Sequence, residues 1–253
     1  MDKIKIFIGI DQTGATKANG QPRPLNVSLI DLRNSSPIYI TALQINNLNL
    51  QSIQDLLQRN IPAIDTAEVL ICVDTVFGLP NPLKVLPTKV FKLAKNYTFL
   101  DKPYGAITAY KFFGQFLKKS KIQHRRVELL VKANSVFNLQ PYQRNIGCGS
   151  FRIIKDLAQD KKWFSLWPFE NLNRQFIIAE GYPSYFWKIH LDSSHRDLSI
   201  LENKFKKLKF KNLDQADSFM LAFGASKSTK NLFDNRIKKN CKCEGWILGV
   251  PYV

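Results

Sequence analysis

The sequence predicts an α/β protein whose mixed sheet is antiparallel over its first three strands and parallel over its last two, with helices on both faces. Three observations lead there. Three short β-branched runs near the N-terminus are separated only by turn-rich segments. A helix-spaced run then leads into VLICV at 69–73, apolar without alternation, as expected of a strand covered on both faces. Further on, a strand-like QFIIAE is followed by an apolar helix that carries two acids.

In chain order, Ile4 to Ile10 forms the first strand, Leu25 to Leu32 the second, and PIYITAL (Pro37 to Leu43) the third. GATKANGQPRP and RNSSP lie between them and read as turns, so the three make an antiparallel meander. Leu50, Ile53, Leu56 and Leu57 share one face of a helix over Leu50 to Arg59. A helical crossover then sets the fourth strand, Val69 to Val73, parallel to the first and beside it. Meander, crossover helix and buried strand together are the front half of a ribonuclease H-like sheet.

From Phe77 to Leu172 the chain reads as a large insertion or lid within a single domain spanning residues 1–253. Its parts are a proline-punctuated loop, a helix over Tyr104 to Lys119, a strand or loop at Val127 to Val136, a short helix at Phe151 to Gln159 and an aromatic loop at Trp163 to Phe169. Gln175 to Glu180 is the fifth strand, and Tyr182 to His190 a helix. A basic segment at Asn203 to Asn212 precedes the acidic helix, Leu213 to Ala225.

A formal charge of +17 over 253 residues favours a polyanionic partner such as nucleic acid, or an anionic membrane surface, though a general solubility bias gives the same number. No apolar run reaches the ~20 residues that a spanning helix needs. MDKIKIFIGID lacks the longer apolar region and cleavage site of a signal peptide, so the expected location is the cytoplasm, with no membrane insertion. Cys72, Cys148, Cys241 and Cys243 show no metal or redox spacing and are expected to be ordinary reduced thiols.

The chemistry resides in aspartates. Asp11 ends the first strand and Asp74 the fourth; if those strands are parallel neighbours, both carboxylates emerge at the carboxyl edge, where α/β sheets bind ligands. Asp214 and Asp217 lie one helical turn apart on a helix otherwise apolar nearly all round. A carboxylate buried there without compensation costs several kcal/mol, so it needs a positive partner, hydrogen bonds or a metal. Converging carboxylates are hard oxygen ligands suited to Mg²⁺ or Mn²⁺. Two such ions would support in-line hydrolysis of a phosphodiester. Singly, each acid has a plainer role: Asp11 in a turn, Asp74 or Asp214 as a helix cap. Asp217, inside its helix, is hardest to explain that way. His124, His190 and His195 show no ligand spacing and are read as structural or surface residues.

IGIDQTGATK, ICVDTVFGLP, QRNIGCGSFRIIKDL, AEGYPSYFWK and DQADSFMLAFGA resemble the blocks of the domain of unknown function 429 family, a set of predicted ribonuclease H-like nucleases. The later blocks also resemble RuvC-type resolvases, in which a strand ending in Glu-Tyr-x-Pro precedes a D-x-x-D helix. Glu180, Tyr182, Pro183, Asp214 and Asp217 are the counterparts here. The resemblance implies a divalent-metal site at Asp11, Asp74 and Asp217, with Asp214 as a fourth ligand. Glu180, at the end of the fifth strand, is either a further metal contact or the partner of an arginine. RuvC-type enzymes usually offer glutamate where this chain has Asp74, which shortens that ligand.

Arg144 and Arg152 flank NIGCGS, which reads as a phosphate-binding loop or, more plainly, as arginines paired with surface acids. Lys204, Lys206, Lys207, Lys209 and Lys211 precede the acidic helix and suit a nucleic-acid backbone. Lys118, Lys119, Lys121, Arg125 and Arg126 form a second basic cluster. Lys238, Lys239 and Lys242 form a third, read as a solvated face. Trp163, Phe164, Trp167 and Phe169 either anchor their loop or stack on bases. The leading expectation is a Mg²⁺-dependent nuclease. A phosphotransferase of the actin and sugar-kinase type is the alternative, since GIDQTGAT resembles its first phosphate loop, as is an inert nucleic-acid-binding protein of the same fold. The oligomeric state stays open, a homodimer included.

Overall fold

Strand alternation organises the sheet. In β1 (Ile4–Asp11), Ile6, Ile8 and Ile10 point to one face while Phe7, Gly9 and Asp11 point to the other. β4 (Glu68–Asp74) repeats the rule, with Val69, Ile71 and Val73 on the first face and Leu70, Cys72 and Asp74 on the second. The computed structural model describes residues 4–12, 21–61, 68–117, 124–137, 146–193 and 195–253.

β2 (Leu25–Asp31) pairs antiparallel with β1, and β3 (Ile38–Ile45) antiparallel with β2. α1 (Leu50–Asn60), capped by the Asn49 side chain, crosses to β4, which lies parallel to β1. β6 (Phe176–Gly181) follows, parallel to β4. The sheet has six strands in the order β3-β2-β1-β4-β6-β5, rather than the five expected. The extra one, β5 (Phe164–Leu166), pairs parallel with β6 inside the stretch read as an aromatic loop. Three residues are too few to display a period of two.

The expected insertion behaves as one face of the sheet more than as a lid. α2 (Pro87–Ala94), α3 (Ala106–Gly114) and α5 (Ile146–Gln159) contribute Phe91, Phe112, Phe113, Phe151 and Ile154 to a core shared with Ile6, Ile8 and Ile10. α4 (Arg126–Val131) is helical where a strand or loop was expected; Glu128 folds back to accept from the Arg125 backbone N–H and starts the turn.

The opposite face carries α6 (Pro183–Leu191), α7 (Leu198–Lys204), α8 (Leu213–Lys227) and α9 (Asn235–Asn240). α8 is buried nearly all round because the sheet lies on one side and α6 on the other. Its approach to β1 is set by Gly9: a Cβ there would lie 1.9 Å from the Ser218 carbonyl oxygen and 2.4 Å from the Ala222 nitrogen. Both are backbone atoms and cannot swing aside. Gly9→Ala is therefore expected to destabilise the fold by at least about 1–3 kcal/mol, the usual cost of overpacking, read as a drop in the urea midpoint. An unchanged midpoint would show that α8 can lift off β1. Among the described residues, no helix is long and apolar enough to cross a membrane.

Candidate functional site

Because β1 and β4 are parallel and in register through Ile10 and Val73, Asp11 and Asp74 follow as neighbours at the carboxyl edge. Alternation turns both toward α8, whose first turns carry Asp214 and Asp217. Asp11 is 5% exposed and Asp217 3%, while Asp74 and Asp214 keep part of their surface open at the rim. The four aspartates singled out in the sequence thus lie on one side of the sheet, near enough for each of the others to act on Asp11 electrostatically.

Their environments differ. Asp217 is held at both oxygens: Trp187 Nε1 donates to Oδ1 at 2.7 Å, and Arg196 Nη1 donates to Oδ2 at 2.5 Å. No described residue donates a hydrogen bond to the carboxylate of Asp11 or Asp74. Burial, and then the neighbouring carboxylates Asp74, Asp217 and Asp214, hold the Asp11 pKa well above its ordinary value. Burial followed by Asp217 and Glu180 pushes Asp74 up to about 8, against a partial offset from Arg196. Asp217 is also raised by burial, with Arg196 and Trp187 opposing.

This arrangement has a measurable consequence. Between 3.8, the ordinary value, and about 8, folded Asp74 retains a proton that the unfolded chain has released. The native state binds more protons there, so stability falls as pH rises through that window. The thermal midpoint in chelator should decline from pH 5 to pH 8, and Asp74→Asn should flatten the decline. A midpoint that rises over the same range contradicts the arrangement.

The donor chemistry fits a hard divalent cation, since Asp11 and Asp74 are neighbouring carboxylates that lack hydrogen-bonding partners among the described residues. Among the described residues, however, no three histidine, cysteine or carboxylate groups stand together as a ready metal-holding cluster. The third aspartate, Asp217, is engaged by Arg196 and Trp187.

Glu180 takes the arginine option. In β6 it pairs with Val73, not Asp74, so alternation turns it away from the face that Asp74 shares with Gly181. Its two oxygens accept from Arg125 Nη2 at 2.5 Å and Nη1 at 2.7 Å. Arg125 is 1% exposed and also binds Glu128 at 2.8 Å and the Glu244 carbonyl at 3.1 Å. The residue expected within a surface basic cluster is thus a buried hub.

Arg152 is likewise corrected. NIGCGS enters α5 from Ile146 onward instead of forming a loop, and Arg152 is buried with its guanidinium on the backbone carbonyls of Arg23 (2.6 Å) and Asn46 (2.5 Å). It ties α5 to the segments flanking β2 and β3, leaving no fork for a phosphate. Arg144 and Lys118, Lys119 and Lys121 lie outside the described residues.

In the basic run before α8, Lys204 donates to the His190 carbonyl and Lys209 pairs with Glu202 at 2.9 Å. Lys206 and Lys207 are exposed, and Phe205 and Phe210 anchor the segment through ring contacts with Phe219.

Sequence reasoning missed Arg196 and Trp187, which sit on a loop and on α6 with no periodic signal toward α8. It also missed Gln12 and Thr75, each directly after a site aspartate. Among the described residues Gln12 Oε1 and Thr75 Oγ1 are buried with no hydrogen-bond partner, and the Gln12 carboxamide fills the space over Gly149, where a Cβ would lie 1.3 Å from Oε1. Compared with known proteins, the chain matches no family model, no curated protein and no solved structure.

Proposed function

We propose that the chain is a divalent-metal-dependent nuclease of ribonuclease H-like type that hydrolyses phosphodiester bonds of nucleic acid. The observation that carries this reading is the pair Asp11 and Asp74: carboxylates on adjacent parallel strands, on the sheet face that carries α8, and without hydrogen-bond donors among the described residues. Such a pair calls for protons or a cation. The strand order β3-β2-β1-β4-β6 supports the same reading, with β5 added at the edge of a ribonuclease H-like sheet. The motif blocks, which resemble those of the domain of unknown function 429 and RuvC-type families, point the same way.

In this reading Asp11, Asp74 and Asp217 hold Mg²⁺ or Mn²⁺, with Asp214 at the rim. The bound ions would supply Lewis-acid activation of water and of the phosphodiester. Arg196, whose side chain is 44% exposed, currently neutralises Asp217 and is free to turn its fork to a phosphate oxygen once that carboxylate is otherwise occupied. Lys206 and Lys207 extend positive charge along the approach to α8 and suit a nucleic-acid backbone.

The test is a cleavage panel of RNA, RNA–DNA hybrid, single-stranded DNA and branched DNA, each with Mg²⁺, Mn²⁺ or chelator. Cleavage of at least one substrate that chelator abolishes is the expected result. ATP turnover in the same tubes would favour a phosphotransferase, and tight binding without cleavage an inert nucleic-acid-binding protein.

A further inference from the structure

A second site lies at the β5 edge of the sheet. α2, the segment after β5 and α9 border a half-open cavity of about 580 Å³, within the ~300–1,000 Å³ range of small-molecule pockets. None of Asp11, Asp74, Asp214 or Asp217 lines it. Phe91, Leu166, Pro168 and Phe169 give the lining its apolar part. Of the four aromatics in the Trp163 to Phe169 stretch, Trp163, Phe164 and Trp167 are buried as anchors, and Phe169 alone keeps an open surface.

The rest of the lining is strongly cationic. Lys238, Lys239 and Lys242, read from sequence as a solvated face, all line the cavity, and none has an ion-pair partner among the described residues. The one carboxylate in the lining, Glu170, is already satisfied: Lys161 Nζ donates to its two oxygens at 2.8 and 2.9 Å, and the Leu166 N–H donates to it as well. Asn171 and Asn235, whose amides can both donate and accept, also line the cavity.

An apolar lining with one partly open aromatic ring, two asparagines, and three lysines without an ion-pair partner among the described residues match a ligand with one planar aromatic end and one polyanionic end. Inorganic phosphate would leave the apolar lining unused, and an uncharged ring would leave the lysines unused. We propose that this cavity binds a nucleotide, its base against Phe169 and its phosphates among Lys238, Lys239 and Lys242. The ligand is a free nucleotide or a phosphate-bearing terminal nucleotide of a strand. The assignment does not depend on the nuclease reading.

Calorimetric titration of the full chain in chelator tests it, with ADP, adenosine, pyrophosphate and a 5′-phosphorylated pentanucleotide as probes. ADP should bind at least about tenfold more tightly than adenosine or pyrophosphate. Lys239→Glu with Lys242→Glu, both at exposed positions, should weaken ADP binding tenfold or more while the circular dichroism spectrum stays unchanged. Phe169→Leu should erase the advantage of ADP over pyrophosphate. Asp11→Asn should alter none of this, which separates the result from the fate of the nuclease reading. A tenfold preference for the pentanucleotide would assign the site to a strand terminus, and the reverse preference to free nucleotide. Pyrophosphate binding as tightly as ADP, or ADP binding indifferent to the lysine substitutions, would overturn the proposal.

Discussion

Asp11→Asn should remove metal-dependent cleavage by about 10²–10³-fold or more, the scale of losing one positioned electrostatic group, and at the same time raise the thermal midpoint of the metal-free protein at pH 8. Both effects follow from one fact. Asp11 is buried, three other aspartates oppose its charge and no described residue donates a hydrogen bond to it, so its charge costs stability that the neutral amide does not. A residue serving the fold alone would destabilise when replaced. The paired measurement is cleavage rate against melting temperature, with and without Mg²⁺; added Mg²⁺ should stabilise the wild type and leave the variant unmoved. A variant that is less stable and equally active would sink the site.

The second large effect concerns stability. Arg125→Ala should cost about 3–5 kcal/mol, the scale of breaking a buried ion pair by removing one partner. The loss leaves Glu128 and Glu180 as buried carboxylates without their shared cation. Burial already raises the Glu180 pKa, and the Arg125 charge and hydrogen bonds oppose that rise most, ahead of a hydrogen bond from the Phe77 backbone. Arg125→Lys should recover little, because an ammonium group cannot reproduce a planar fork that serves Glu180, Glu128 and the Glu244 carbonyl together. Guanidinium denaturation gives the number. A loss under about 1 kcal/mol for Arg125→Ala would mean that the buried acids find other partners or protons.

The site aspartates were legible because each interrupts an apolar pattern: Asp11 and Asp74 close aliphatic strands, and Asp217 stands within an apolar helix. The crossover helix between them set the strand neighbours, and the register of β1 with β4 agrees. Glu180 could have been placed from the same parity, since FIIAEG puts Ala179 and Gly181 on one face and Glu180 on the other. Arg125 was illegible, because a buried arginine next to Arg126 looks like any surface basic pair. β5 was too short to show alternation, and the apolar start of α5 hid behind its glycines. The nucleotide cavity needs three segments far apart in sequence, so no local pattern announces it.

Gly9 rests on Ser218 and Ala222, more than 200 positions away along the chain. That contact joins the strand bearing Asp11 to the helix bearing Asp217, and neither local turn nor hairpin brings them together. Loop closure over so many residues comes late and slowly. An incompletely folded copy of this protein therefore holds scattered acids and no reactive centre, so whatever chemistry the aspartates perform is withheld until the architecture is finished.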